Sequence, residues 1–262
     1  MRPNPTTHRP LQRHDHRHRP QDAGASAARR ARQLRRDELR QNSVQHAVLL
    51  AGTALAAYMV SIPARLLPPL PSALTIAGAV LPVLWAIWHV HRPSDAVRRW
   101  RRGAAGERRT ARLLHPLTRG KQGWIILHDR AIPRSRANLD HLLVRPDGAV
   151  FYCDSKALRP GARIHVRDGI LHCGHRPYPS AINTVIWEAA QAADALGVPV
   201  TPLIAVHDAE VPGHVLHDSK VVIVAATRLT RELRRSRYIP NRAAAEQIAA
   251  RAEALLPRHT AR

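Results

Sequence analysis

Two long runs of the chain carry no charged side chain. Ala47–Ala64 has 18 such residues and Ser72–Val90 has 19. At about 1.5 Å per helical residue, each comes close to the roughly 30 Å hydrocarbon thickness of a bilayer. Pro63 and Arg65 close the first run, Pro68, Pro69 and Pro71 form a stiff connection, and Ser72 suits a helix N-cap. Pro82 lies inside the second run, where a membrane helix tolerates it, and Trp85, Trp88, His89 and His91 gather at its far end. The pattern predicts a transmembrane hairpin within residues 46–91. Arginine loads the flanks and only Arg65 the connection, so both termini are expected on the cytoplasmic side of the cell membrane. Two buried helices of a soluble core are the competing reading. A cleaved signal peptide fits poorly, because 46 residues precede the first run.

Beyond Arg92 the pattern changes to that of a globular domain, residues 92–262. A helix is expected from Ser94 to about His115. Gly123–His128 reads as a strand and residues 131–138 as a loop. Leu139–Arg145 and Ala149–Asp154 then read as two strands joined at Pro146-Asp147-Gly148. Pro and Gly favour a turn there through a fixed φ and a free one. A second, smaller hairpin is expected over Arg163–Arg167 and Ile170–Cys173. In Ser180–Leu196 the apolar residues Ile182, Val185, Ile186, Ala189, Ala193 and Leu196 keep helical spacing, and Gly197 ends the run. Val200–Val206 and Lys220–Ala225 read as buried strands, and Arg242–Leu256 as an amphipathic helix. The order predicts an α/β fold with a mixed β-sheet flanked by helices.

Charge adds a partner class. The formal net charge is +22, from 41 basic and 19 acidic residues. Such a balance suits nucleic acid or the anionic inner leaflet of a lipid bilayer. Part of the arginine load reads as compositional bias, since only Lys121, Lys156 and Lys220 are lysines. Where arginine is the default cation, a retained lysine is the more informative residue. Residues 1–45 hold eleven arginines and four acids, with few large apolar side chains before Leu34, and read as a basic, largely disordered arm. Within it, Ala27–Arg40 suits a basic helix on a lipid surface, with a nucleic-acid-binding arm as the alternative. Cys153 and Cys173 sit at no metal-site spacing, so reduced thiols in the cytosol are expected. His172-Cys173-Gly174-His175 reads as a turn rather than a zinc site.

The candidate chemistry lies in Leu139–Lys156. Asp140 opens the hairpin, and Asp154 and Lys156 close it. Two carboxylates at one end of a sheet repel each other unless a cation joins them. Asp154 and Lys156 are two apart and share a strand face, which sets an ammonium beside any metal held by the acids. The tripeptide Asp-Ser-Lys recurs at Asp218-Ser219-Lys220, so the tripeptide alone carries little weight. Plain turn aspartates are the alternative.

At these residues the chain resembles the nuclease-related domain (NERD) family of the PD-(D/E)xK restriction-endonuclease-like superfamily. The matching features are Gly103-Ala104-Ala105-Gly106-Glu107, Asn138-Leu139-Asp140-His141, Pro146-Asp147-Gly148 and Asp154-Ser155-Lys156. The resemblance covers about Arg101 to Thr227. It implies a restriction-endonuclease-like core with Mg2+ or Mn2+ as cofactor. Glu107, Asp140 and Asp154 are the implied metal ligands, Lys156 the catalytic lysine and Gln191 a further polar residue of the site. Arg134, Arg136, Arg159 and Arg163 are candidates for phosphate contacts. The function expected is a membrane-anchored, metal-dependent nuclease facing the cytoplasm, acting on DNA ahead of RNA. A tethered, non-catalytic nucleic-acid-binding module is the alternative, and a scaffold whose arginines serve only lipid is a third reading.

Overall fold

The computed structural model describes residues 22–61, 72–119, 123–218 and 220–259. They form two units, one of Arg29–Arg101 and one joining the residues up to Ala28 to those from Arg102 onward.

The Arg29–Arg101 unit is helical. It takes in most of α1 (Ala25–Gln41), then α2 (Ser43–Ser61) and α3 (Ser72–His91), which pack on each other. The basic helix expected over Ala27–Arg40 is formed. The Arg35 guanidinium donates to the Val90 carbonyl at 2.9 Å and so ties α1 to the end of α3. Among the described residues no helix is long and apolar enough to cross a membrane. This overturns the transmembrane hairpin and the two-span membrane location expected from Ala47–Ala64 and Ser72–Val90. Lack of charge is not the same as apolarity. Helix α2 opens on Ser43, Gln45 and His46, and its Thr53 hydroxyl bonds back to the Leu49 carbonyl at 2.9 Å. Helix α3 holds Pro82 and ends in His89 and His91. The proline-rich connection around Arg65 lies outside the described residues, as do residues 1–21.

The second unit is built on a six-stranded mixed sheet of order β1-β2-β3-β7-β9-β8. β1 (Ile125–Ala131), β2 (Asn138–Val144) and β3 (Val150–Ala157) form an antiparallel meander. β3 then pairs in parallel with β7 (Val200–His207), and β7 with β9 (Val221–Ala225); β8 (Val215–Asp218) adds an antiparallel edge. β4 (Ile164–Arg167), β5 (Ile170–Cys173) and β6 (Arg176–Tyr178) make a separate small sheet. The remaining helices are α4 (Asp95–Leu114), which enters this unit at Arg102, α5 (Ala181–Leu196), the short α6 (Leu229–Leu233) and α7 (Arg242–Leu255).

The strand period of two sorts the core. Tyr152, Leu142 and Ile204 face α5 and α7, where Val185, Ala189, Ala245 and Ala249 meet them. Cys153, Leu143 and Ala205 face the other way, toward Leu114, Leu117 and Trp124. Both cysteines are free and buried. The expected mixed sheet flanked by helices is present. β3 runs three residues past its expected end at Asp154, because β7 pairs with it in parallel as far as Ala157–His207. β6 and β8 were not expected; each is a short edge strand with little apolar alternation.

Candidate active site

The acids converge where the meander splays. β2 and β3 pair from Val144–Val150 to His141–Cys153, and their pairing stops there. One step further along this register, Asp140 and Asp154 stand opposite each other. The backbone N–H of Ser155, freed from the ladder, donates instead to Asp140 Oδ2 at 3.0 Å. Asp140 thus replaces with its side chain a hydrogen bond that the β2 backbone no longer makes.

Asp154 is only 6% exposed, and Lys156 is held against it. The ammonium Nζ lies 2.9 Å from both carboxylate oxygens, donating a well-aligned hydrogen bond to Oδ1 and reaching Oδ2 as an ion pair only. In register, Asp154 lies beside Ile204 and Lys156 beside Val206, so an apolar strand flanks the pair. Burial alone would lower the Lys156 pKa, but Asp154 and Asp140 together hold it above its ordinary value. The amine is firmly protonated.

Glu107 reaches the same place from α4, 6% exposed, with Gly106 against Ala157. Its carboxylate accepts the Gly24 backbone N–H, while Oε2 has no hydrogen-bond donor among the described residues. Burial, then repulsion by Asp129 and Asp154, raises its pKa to about 8. Asp140 is raised well above the carboxylate range by burial and by Glu107 and Asp154. The structure therefore brings together Glu107, Asp140, Asp154 and Lys156. Gln191 is half-buried on α5 and forms no polar contact among the described residues. Arg134, Arg136, Arg159 and Arg163 are exposed on the loops that leave β1 and β3; only Arg163 meets an acid, Glu210 at 3.8 Å.

Two acids escaped the sequence reading. Asp129 falls between the pairs His128–His141 and Arg130–Leu139 and so stands across from Asp140. Its backbone takes a φ of 50°, and its oxygens accept Asn138 Nδ2 at 3.0 Å and the Ser26 N–H at 2.8 Å. The strand was expected to end at His128; its continuation to Ala131 would have given Asp129 away. Glu188, buried on α5, accepts the Tyr152 hydroxyl at 2.7 Å. Burial is the main cause that raises its pKa to about 7; the Tyr152 hydrogen bond opposes it and Asp154 adds to it. The sequence does carry a signal for Glu188, a lone acid on the Val185–Ala189–Ala192 stripe.

Behind the acids a buried polar chain crosses the sheet. His128 Nδ1 meets His141 Nδ1 at 2.7 Å, and His141 Nε2 meets Ser155 Oγ at 3.1 Å. Ser155 Oγ donates to Thr110 Oγ1 at 2.8 Å, and Thr110 meets His207 Nε2 at 2.7 Å. Burial drives both His141 and His207 down, His207 to about 4, so these rings are neutral donors and acceptors. His128, His141 and Ser155 are chain neighbours of Asp129, Asp140 and Asp154, and Thr110 lies one turn after Glu107. The chain therefore locks the backbones that carry the acids.

A sheet that passes from an antiparallel meander to parallel strands, with an aspartate facing an Asp-x-Lys strand and a glutamate from the preceding helix, has the general form of the PD-(D/E)xK nuclease-like folds. Residues 102–207 match the family model of NERD, the nuclease-related domain. The matched segment holds Glu107, Asp129, Asp140, Asp154, Lys156, Glu188 and Gln191. Searches of curated proteins and of solved structures give no match.

Proposed function

We propose that the domain is a metal-dependent nuclease that hydrolyses phosphodiester bonds in DNA, with RNA as the second candidate. The observation that carries this reading is the gathering of Glu107, Asp140 and Asp154 around a single ammonium, with Glu107 Oε2 buried and without a donor among the described residues. Carboxylate oxygens are the donors that Mg2+ and Mn2+ take, and the mutual repulsion of these acids is what a divalent cation relieves. Among the described residues no group of three or more His, Cys, Asp or Glu side chains stands ready to hold a metal. The fit therefore lies in donor type and charge.

Glu107, Asp140 and Asp154 would hold the ion, with Asp129 beside them. A bound divalent metal would neutralise phosphate charge and activate a water. The remaining steps belong to the chain. Lys156 presents a fixed ammonium to the negative charge that grows on the phosphate oxygens in the transition state. The Ser155 N–H orients Asp140, and the His141–Ser155–Thr110 chain keeps β3 from shifting as charge builds. Arg134, Arg136, Arg159 and Arg163 contribute phosphate contacts from the rim.

The test uses the full chain, since Asp22–Ala28 belongs to the same unit as the acids. DNA and RNA are incubated with Mg2+, Mn2+ or EDTA. Cleavage is expected with either metal and is lost with EDTA and in the Asp154→Ala/Lys156→Ala variant. Metal-dependent cleavage that survives both substitutions would falsify the site. A non-catalytic nucleic-acid-binding module is the second reading, favoured by the Lys156 ammonium already seated on Asp154. It predicts salt-sensitive binding with no cleavage under any metal.

A further inference from the structure

At the β9–β8 edge of the sheet the chain builds a cleft of the opposite charge. The turn Ala226–Arg228 and helix α6 set Arg228, Arg231 and Arg234 three residues apart, so they share one side. His214, in the turn before β8, and His217 on β8 line an open cleft of about 860 Å³ together with these arginines and Thr230. One acid, Glu232, lies among them, and it pairs with Arg235 at 3.5 Å. Arg228, Arg231 and Arg234 have no ion-pair partner among the described residues. A concave wall with four guanidinium groups and one carboxylate concentrates a positive field. Next to it, sharing Glu232 and Arg235, lies an apolar pocket of about 500 Å³. Phe151, Leu203, Val222 and Leu233 line this pocket, and Thr201 and Ser236 add hydroxyls at its wall. Neither cavity contains a residue of the acidic cluster, and the arginines lie beyond the matched segment 102–207.

We infer that this double cleft binds single-stranded nucleic acid, with an unpaired base in the apolar pocket against Phe151 and the adjoining phosphates along Arg228, Arg231 and Arg234. A base has an apolar face and a polar edge, which matches a hydrophobic pocket with two hydroxyls. Phosphate oxygens match the guanidinium fork. A duplex keeps its bases stacked and paired, so it can use the arginines but not the pocket. The site lets a chain with an acidic reaction centre retain a polyanion at a distance from that centre. The inference rests on the nucleic-acid reading above but requires neither a metal nor cleavage.

The test is fluorescence anisotropy on the full chain in EDTA, with a labelled single-stranded oligonucleotide and the matching duplex over a salt series. The single strand is expected to bind about tenfold or more tightly than the duplex. Replacing Arg228, Arg231 and Arg234 together by alanine should weaken it by tenfold or more and flatten the log–log salt slope by about two, at about 0.7 per phosphate contact. The corresponding triple lysine variant should keep most of the affinity, and its folded circular dichroism should match that of the wild type. Phe151→Leu should cost about fivefold or more on the single strand and little on the duplex. Undiminished binding in the triple alanine variant, duplex preferred over single strand, displacement by polyglutamate as effective as by unlabelled strand, or no binding by the wild type would each overturn the inference. Wild-type cleavage with undiminished binding in the triple alanine variant sinks this inference alone. Arginine-dependent binding with no cleavage under any metal sinks the nuclease reading alone.

Discussion

Asp154-Ser155-Lys156 and Asp218-Ser219-Lys220 are the same three residues in two surroundings. The first lies within β3, an interior strand paired with β2 and β7. Its aspartate is 6% exposed, and the alternation of the strand sets Lys156 on the same face, 2.9 Å away. Asp140 stands across from it, and Glu107 arrives from α4. The second copy begins at Asp218, the last residue of the edge strand β8, in register with Val221 of β9. There Asp218 is half-buried and Lys220 is exposed. The tripeptide therefore has no chemistry of its own. An interior strand makes water scarce, and neighbouring charges act on one another more strongly there than at a solvated edge.

The comparison can be broken most directly by activity. Asp154→Ala/Lys156→Ala should lower metal-dependent cleavage by about 100-fold or more, the usual loss when a fixed transition-state charge is removed. Asp218→Ala/Lys220→Ala should leave it within about twofold. Equal losses in the two pairs, read in one cleavage assay, would mean that position in the sheet does not matter.

A backbone contact beside Glu107 gives the next largest effect. Gly24 has a φ of 69°, and a Cβ there would lie 2.6 Å from the Ala104 carbonyl oxygen. Gly24→Ala is expected to cost about 1–3 kcal/mol of unfolding free energy. Gly213, five residues before the second copy in the chain, also has positive φ but open space around it, so Gly213→Ala should cost less. Urea melts of the two variants compare them.

The polar chain sharpens the contrast further. Ser155→Ala removes the hydroxyl between His141 and Thr110, which keep His128 and His207 as partners. A loss of about 1 kcal/mol in the same melts is expected, together with reduced cleavage, because the hydroxyl link from His141 on β2 through β3 to Thr110 on α4 is cut while the Ser155 N–H bond to Asp140 stays. Stability lost with cleavage unchanged would show that the chain holds the fold but not the acids.

The smallest effect concerns pH. Arg109 on α4 forms two hydrogen bonds to Asp208, at 2.9 and 2.7 Å, and this contact holds the Asp208 pKa below its ordinary 3.8. A carboxyl lowered on folding stabilises the protein above its unfolded pKa, and the benefit disappears as the pH falls through the folded value. Asp208→Asn should therefore be less stable than the wild type at neutral pH by under about 1 kcal/mol, since both groups are partly solvated. The gap should close below pH 3.8. A gap that persists in thermal melts at lower pH would point to packing rather than charge.

Much of this was legible in one dimension. The strands beginning near residues 125, 139, 150, 164, 170, 200 and 221 show as apolar runs between turn residues, and the helix over Ala181–Leu196 by its period. A turn signal at Pro146–Gly148 sets the hairpin register that puts Asp140, Asp154 and Lys156 at one end of it, whereas Glu107 was expected only from the resemblance to the nuclease-related domain family. Absence of charge misled at Ala47–Ala64 and Ser72–Val90, where serine, threonine, histidine and proline interrupt the apolar sequence. The sequence by itself determined the hairpin, the alternation that puts Asp154 and Lys156 on one face, and the net charge of +22. Only the tertiary structure decided that β1 continues far enough to bring Asp129 opposite Asp140, that Glu188 comes under Tyr152, that the N–H groups of Gly24 and Ser26 cap Glu107 and Asp129, and that four arginines close around a cleft at the far edge. Each of these depends on residues distant in the chain sharing one place. Local propensity has no information about the burial that then sets their charge.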